Sequence, residues 1–143
     1  MIGILILTHG DIAQQLALAA GAITSETERI EALGLGWSED PDIARRRIEK
    51  AIAAVNGTGG VLVLTDMFGG TPSNIAFPFL QEGAVEIVTG VNLPMVLRSL
   101  ATRRVDSLPV LARAVRERGR KAIEVASDYL TERTTAAAPV EEK

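Results

Sequence analysis

The sequence predicts an α/β fold: an open, mainly parallel, doubly wound sheet with strand order 2-1-3-4. Two observations carry that expectation. The runs Ile2-Gly3-Ile4-Leu5-Ile6-Leu7-Thr8 and Val61-Leu62-Val63-Leu64 are uncharged throughout, as strands covered on both faces are. Strand-like and helix-like segments then alternate along the chain, the pattern of right-handed crossovers between parallel strands.

The elements follow in order. After the first strand, Ile12, Leu16, Ala19, Ala20 and Ile23 recur at helical spacing, which predicts a helix from residue 11 to about residue 22. Ile30 to Leu35 reads as the second strand. Asp40-Pro41 starts a helix, with Asp40 as N-cap and Pro41 in the first position. Its apolar face is Ile43, Ile48, Ala51, Ile52 and Val55, and Asn56-Gly57 stops it. After the third strand, Gly69-Gly70-Thr71-Pro72 opens a third helix with Thr71 as N-cap, which Pro78 ends or kinks early. Residues 85 to 89 form the fourth strand. Asn92-Leu93-Pro94 starts a fourth helix reaching about Ala101, and residues 106 to 118 form a fifth, closed by Gly119. Residues 122 to 126 read equally as a short final strand or as more helix. Residues 131 to 143 are rich in Thr, Ala and Glu and read as a flexible C-terminal tail after a single domain over residues 1 to 130.

Composition narrows the function classes. Zero cysteines exclude disulfides and thiolate metal sites. A net charge of −3 and only five aromatic residues give no footing for a nucleic-acid partner. No apolar stretch is long enough to span a membrane and no secretory signal stands at the start, so the cytoplasm is the expected location. Arg45-Arg46-Arg47, Arg103-Arg104 and the basic residues from Arg113 to Lys121 read as solvated surface, and Trp37 as a packing residue in a loop.

The chemistry concentrates at the topological switch point between the first and third strands. His9 is the only histidine and ends the first strand; Asp66 follows the third. In this fold the two are neighbours, and the carboxylate can hold one imidazole nitrogen protonated while the other keeps a nucleophilic lone pair. Gly69-Gly70-Thr71 at a helix start supplies backbone N–H groups for an anion, with Gly10 beside them. Nucleophile, orienting carboxylate and anion cradle together suggest phosphoryl transfer through a phosphohistidine, with no metal and no cofactor.

Three motifs, each at a strand's carboxyl end, resemble the IIA domain of the mannose-type (mannose/fructose/sorbose) phosphoenolpyruvate-dependent sugar phosphotransferase system. They are Ile6-Leu7-Thr8-His9-Gly10, Thr65-Asp66-Met67-Phe68-Gly69-Gly70-Thr71-Pro72-Ser73-Asn74 and Thr89-Gly90-Val91-Asn92-Leu93-Pro94-Met95. The resemblance covers roughly residues 1 to 130. It implies that His9 is phosphorylated, that Asp66 is its hydrogen-bond partner, and that Thr71 lies near the phosphoryl oxygens. Thr8, Phe68, Val91 and Asn92 would line the pocket. The implied partners are the phosphocarrier HPr as donor and a IIB component as acceptor, with the membrane reached only through a permease complex. The resemblance also implies a homodimer that exchanges a C-terminal, antiparallel strand, for which residues 122 to 126 are the candidate. Because no IIB domain follows in the sequence, a stand-alone IIA protein is expected.

Other readings fit less well. The phosphocarrier subunit of phosphoenolpyruvate-dependent dihydroxyacetone kinase shares the fold, but the Gly-Gly-Thr-Pro and Gly-Val-Asn-Leu-Pro motifs look more like the sugar system. A histidine phosphatase or mutase needs an arginine where Thr8 stands and a second histidine. A sirohydrochlorin-type chelatase needs more ligands than one histidine. A phosphoacceptor-aspartate receiver needs an acidic pair after the first strand. A non-catalytic flavodoxin-like binding module lacks the aromatics for a flavin stack.

Overall fold

The computed structural model of the chain describes residues 1–67 and 69–141, with side chains through residue 134. Phe68, one of the expected pocket residues, lies outside the described residues. The elements run β1 (Gly3–His9), α1 (Ile12–Thr24), β2 (Ile30–Leu35), α2 (Pro41–Val55), β3 (Val61–Thr65) and α3 (Thr71–Ala76). A single 3-10 turn (Phe77–Phe79) leads to β4 (Val85–Val88), α4 (Leu93–Thr102), α5 (Leu108–Lys121) and α6 (Ala126–Glu141). The four strands form one sheet in the order β2-β1-β3-β4, and every neighbouring pair is parallel.

Alternation along the two central strands divides the core. Ile2 and, on β1, Ile4 and Ile6 pack with Leu62 and Leu64 against α1, α4 and α5. Leu5, Leu7, Val61 and Val63 point the other way, against α2 and the end of α3. Both faces are therefore apolar, which is why these strands read as continuous apolar runs.

Several details differ from expectation, each for a physical reason. On α1 the face turned to the core is Ala13, Leu16, Ala17 and Ala20, whereas Ile12 and Ile23 are exposed. Small side chains let that helix lie close to the sheet. Ile43 of α2 is likewise exposed, and Ala44 is buried in its place. The N-cap of α3 is Gly70, and Thr71 is its first helical residue. Gly119 does not close α5 but lies inside it, buried against Met95 of α4. Arg103 is not solvated: it is 1% exposed, and its guanidinium donates to Glu26 Oε2 at 2.8 Å. Arg104 meets the other oxygen of Glu26 at 3.0 Å, and these bonds, the one from Arg103 first, hold the Glu26 carboxyl below its ordinary pKa. Residues 122 to 125 are a turn and an irregular stretch in the single chain, not a strand, and α6 carries helix into the segment read as a tail.

Glycine is required strictly at Gly3, where an added Cβ would lie 2.0 Å from the carbonyl oxygen of Val55, the last residue of α2. At Gly119 the added Cβ would meet Met95 Cγ and Sδ at 2.6 Å, atoms of a side chain that can turn aside. Gly119→Ala also gains about 1 kcal/mol of helix propensity. We expect Gly3→Ala to lower the free energy of unfolding by about 2–3 kcal/mol through overpacking against main chain. Gly119→Ala should cost clearly less. Urea unfolding of both variants checks the order; equal losses would show that the end of α2 yields as readily as a methionine.

Candidate functional site

His9 is the last residue of β1, and Asp66 follows the last residue of β3. The strands are paired in register with Leu7 opposite Thr65, so the two residues emerge side by side at the carboxyl edge of the sheet. The chain moves from β1 outward to β2 and then back across to β3, which makes this the switch point where such sheets open a crevice.

Three donors converge on the Asp66 carboxylate. The His9 backbone N–H donates to Oδ2 at 2.9 Å, and His9 Nδ1 lies 2.7 Å from the same oxygen. The Met67 N–H donates to Oδ1 at 3.0 Å. The side chains of His9 and Asp66 are only 15% and 14% exposed. Burial by itself pushes the Asp66 carboxyl up. The bonds from the His9 N–H and imidazole, followed by that from Met67, outweigh it, so its pKa falls below the ordinary 3.8. The carboxylate is therefore ionised at neutral pH and can only accept, which assigns the shared proton to Nδ1; in the neutral imidazole the lone pair then belongs to Nε2.

The third helix approaches the ring next to Nδ1, at Cε1. A Cβ on Gly70 would stand 3.0 Å from His9 Cε1, the carbon that joins the two ring nitrogens. The start of α3 thus lies against the Cε1 corner of the imidazole, between the two ring nitrogens. Gly69 has φ +80°, Gly70 is the N-cap without a side-chain cap, and Thr71 is exposed. The first-turn N–H groups of Thr71 and Ser73 have no acceptor within the helix, while Pro72 carries none. Asn74 Nδ2 donates to the Gly69 carbonyl at 3.0 Å, and Ser73 Oγ to the Gly70 carbonyl at 3.0 Å. These two side chains, quoted in the motif but given no role by the sequence, hold the turn in shape. Gly10 takes φ +51°, and its N–H donates to the Leu35 carbonyl at 2.9 Å.

Three expected pocket residues have other places. Thr8 is wholly buried: its hydroxyl accepts the Ala13 N–H at 2.8 Å and donates to the His9 carbonyl at 3.1 Å. It anchors the start of α1 beneath the site. The Val91 N–H donates to the Thr65 carbonyl at 2.8 Å, and its side chain packs on the core. Asn92 caps α4 by accepting the Met95 N–H at 3.1 Å, and donates to the Gly119 carbonyl at 3.3 Å. Its side chain lines a groove between β4 and α5, together with Glu86, Arg116 and Arg120.

Sequence reasoning missed Trp37 as a site residue. Its indole stacks on the His9 imidazole with centroids 4.9 Å apart and planes inclined by 20°. The placement follows from strand register: Leu35 is the register partner of His9, so a residue two positions past Leu35 lies over the histidine. Among the described residues, no group of three or more His, Asp or Glu side chains could hold a metal ion.

A family profile described as the fructose IIA component of the phosphotransferase system matches residues 3–116, a span that includes His9, Asp66 and Thr71. The chain belongs to the mannose-type IIA family of the sugar phosphotransferase system. It is 30% identical over 137 residues to the fructose-specific IIA component of Bacillus subtilis, covering 95% of this chain and 94% of that one. It is 32% identical over 124 residues to the mannose-specific IIAB component of Escherichia coli K12, spanning 85% of this chain but only 38% of that longer protein. A IIA protein associated with a fucose utilization operon in Streptococcus pneumoniae superposes with a TM-score of 0.80 at 26% identity, over 90% of this chain and 95% of that one. The mannose/sorbose-specific IIA subunit of Enterococcus faecalis has a TM-score of 0.74 at 21% identity, over 87% and 93% of the chains, a likeness of fold. The IIA family match ends at residue 116, before the irregular stretch at 122–125 and α6. Among the described residues no helix is long and apolar enough to cross a membrane.

Proposed function

We propose that His9 accepts a phosphoryl group from phospho-HPr and passes it to a IIB component in the cytoplasm. One observation carries this reading: Nδ1 is tied to Asp66 at 2.7 Å, which leaves Nε2 as the nucleophile of a ring whose Cε1 faces the start of α3. The Nε2 lone pair attacks phosphorus and forms the N–P bond as the bond to the donor's histidine nitrogen breaks. That bond's electron pair stays with the donor nitrogen. The Nδ1 proton remains in place, so the phosphorylated ring is cationic and Asp66 offsets its charge. N–H groups around Gly69, Gly70 and Thr71, with the Thr71 hydroxyl, receive the phosphoryl oxygens, while Gly10, whose N–H is held by the Leu35 carbonyl, gives the cradle its backbone bend and not a donor. When a IIB nucleophile attacks, the N–P electrons return to Nε2. Exposed Trp37 and Met67 flank His9 and suit a protein donor rather than a small one. Incubation with phosphoenolpyruvate, the general phosphotransferase enzyme and HPr should give an acid-labile, base-stable phosphate that maps to His9. Label on any other residue would overturn the reading.

Assembly as a homodimer belongs to the same proposal. β4 is an edge strand, and the apolar side chains of Ile123 and Val125 beyond α5 are exposed in the single chain. A partner's residues 122 to 126 added antiparallel to that edge would bury them and pair the free backbone groups. Sedimentation should give about twice the 15.2 kDa chain mass. Truncation after Gly119 should abolish the dimer and truncation after Thr131 should preserve it. A full-length monomer at micromolar concentration would refute the exchange.

A further inference from the structure

Trp37 is the only tryptophan of the chain, and it is 81% exposed while one face lies flat on His9. An exposed indole held in one orientation needs a stiff loop beneath it. The loop between β2 and α2 is tied at both ends. The Gly10 N–H holds the Leu35 carbonyl at 2.9 Å, and the Glu39 N–H reaches the Gly36 carbonyl at 3.4 Å. Arg47 pairs with the Glu39 carboxylate and reaches the Gly34 carbonyl at 3.4 Å. Asp40 caps the start of α2 by accepting the Asp42 N–H at 2.8 Å. The imidazole is thus bounded on three sides: Asp66 at Nδ1, Gly70 at Cε1 and Trp37 on one face.

A neutral imidazole gains little from a stacked indole beyond contact area. A cationic ring gains more, because the negative face of the indole attracts positive charge. The ring becomes cationic when Nε2 carries phosphoryl and Nδ1 keeps its proton. We propose that Trp37 is a positioning residue that stabilises the phosphorylated, cationic form of His9 and so sets how strongly this protein retains the phosphoryl group against its donor. The inference rests on the phosphohistidine reading and adds a residue outside the three motifs.

The test uses full-length wild type, Trp37→Ala and Trp37→Phe, each brought to equilibrium with phospho-HPr at fixed total HPr, the phosphorylated fraction being read by intact mass. A cation–π contact at an exposed site predicts a two- to fivefold fall, roughly, in the equilibrium constant for Trp37→Ala, with most of it restored in Trp37→Phe. Trp37 emission should change on phosphorylation of the wild type and stay constant in His9→Ala under the same treatment. Equal equilibrium constants for wild type and Trp37→Ala would overturn the inference while leaving the relay intact. Absence of relay phosphorylation in the wild type would instead sink the relay. Phosphoramidate can then load His9 directly, and hydrolysis of the phosphohistidine decides: faster loss in Trp37→Ala supports the role, and equal rates reject it.

Discussion

We expect His9→Ala to abolish phosphoryl acceptance from phospho-HPr, taking the label from about one per chain to background, because covalent transfer then has no second imidazole or thiol to fall back on. The chain has no other histidine and no cysteine. The remaining hydroxyl near the site, Thr71, has no general base assigned to it. The loss should be chemical rather than structural. Two of the three bonds to the Asp66 carboxylate come from main-chain N–H groups, those of His9 and Met67, and survive removal of the ring. The Thr8 hydroxyl, which anchors the start of α1, is untouched. Thermal unfolding should therefore change by about 1 kcal/mol, the scale of one part-buried hydrogen bond. A variant that keeps wild-type labelling would remove His9 from the mechanism. One that fails to fold would show that the ring, not the backbone, organises the loop.

How much of this site can be read from sequence depends on the range of the interactions that build it. β1 and β3 are evident because both faces are buried, so each is a run of apolar residues up to its carboxyl end, where Thr8-His9 and Thr65 stand. β2 is readable from end to end because turns bound it, and Asp40-Pro41 starts α2 as the capping rule requires. His9 and Asp66 could be paired because parallel strands in the order 2-1-3-4 leave one switch point. Gly119 misled because a glycine that ends a helix and a glycine that admits Met95 look identical in one dimension. Arg103 misled because its partner, Glu26, comes from a different crossover, 77 positions away. Thr8 and Asn92 stand in the motifs beside the site, yet their side chains are spent on helix starts. Trp37 went unseen because its stacking depends on register between β1 and β2, which no local pattern announces. Residues 122–125 are ambiguous in sequence because their short apolar pattern fits strand and helix alike, and a single chain offers them no strand partner.

We expect Asp66→Asn to slow phosphoryl transfer from phospho-HPr by roughly 30- to 1000-fold, the equivalent of about 2–4 kcal/mol of barrier. The amide can be placed in two ways relative to the donors around it. Oδ2 receives both the His9 N–H and Nδ1, whereas Oδ1 receives only the Met67 N–H. Keeping the amide oxygen at the first position preserves two bonds and sets the new NH2 group against Met67. The reverse placement would set the NH2 group against the His9 N–H and make Nδ1 its acceptor, which drives the imidazole proton onto Nε2, the attacking atom. In the first arrangement the tautomer survives and what disappears is the negative charge that offsets the cationic ring; in the second the attacking nitrogen is protonated as well, so transfer slows either way. A second readout follows from the carboxylate itself. Its folded-state pKa lies below the ordinary value, so its stabilising contribution is complete above that ordinary value and is lost as pH falls through the depressed one. Wild type should be the more stable protein near neutral pH, and the gap to Asp66→Asn should close in acid. Single-turnover quench measurements give the rate, and urea unfolding at neutral and acidic pH gives the stability gap. An unchanged rate together with a gap that closes in acid would make Asp66 a purely structural partner of His9. An unchanged rate with no gap at any pH would mean that the 2.7 Å contact carries neither role.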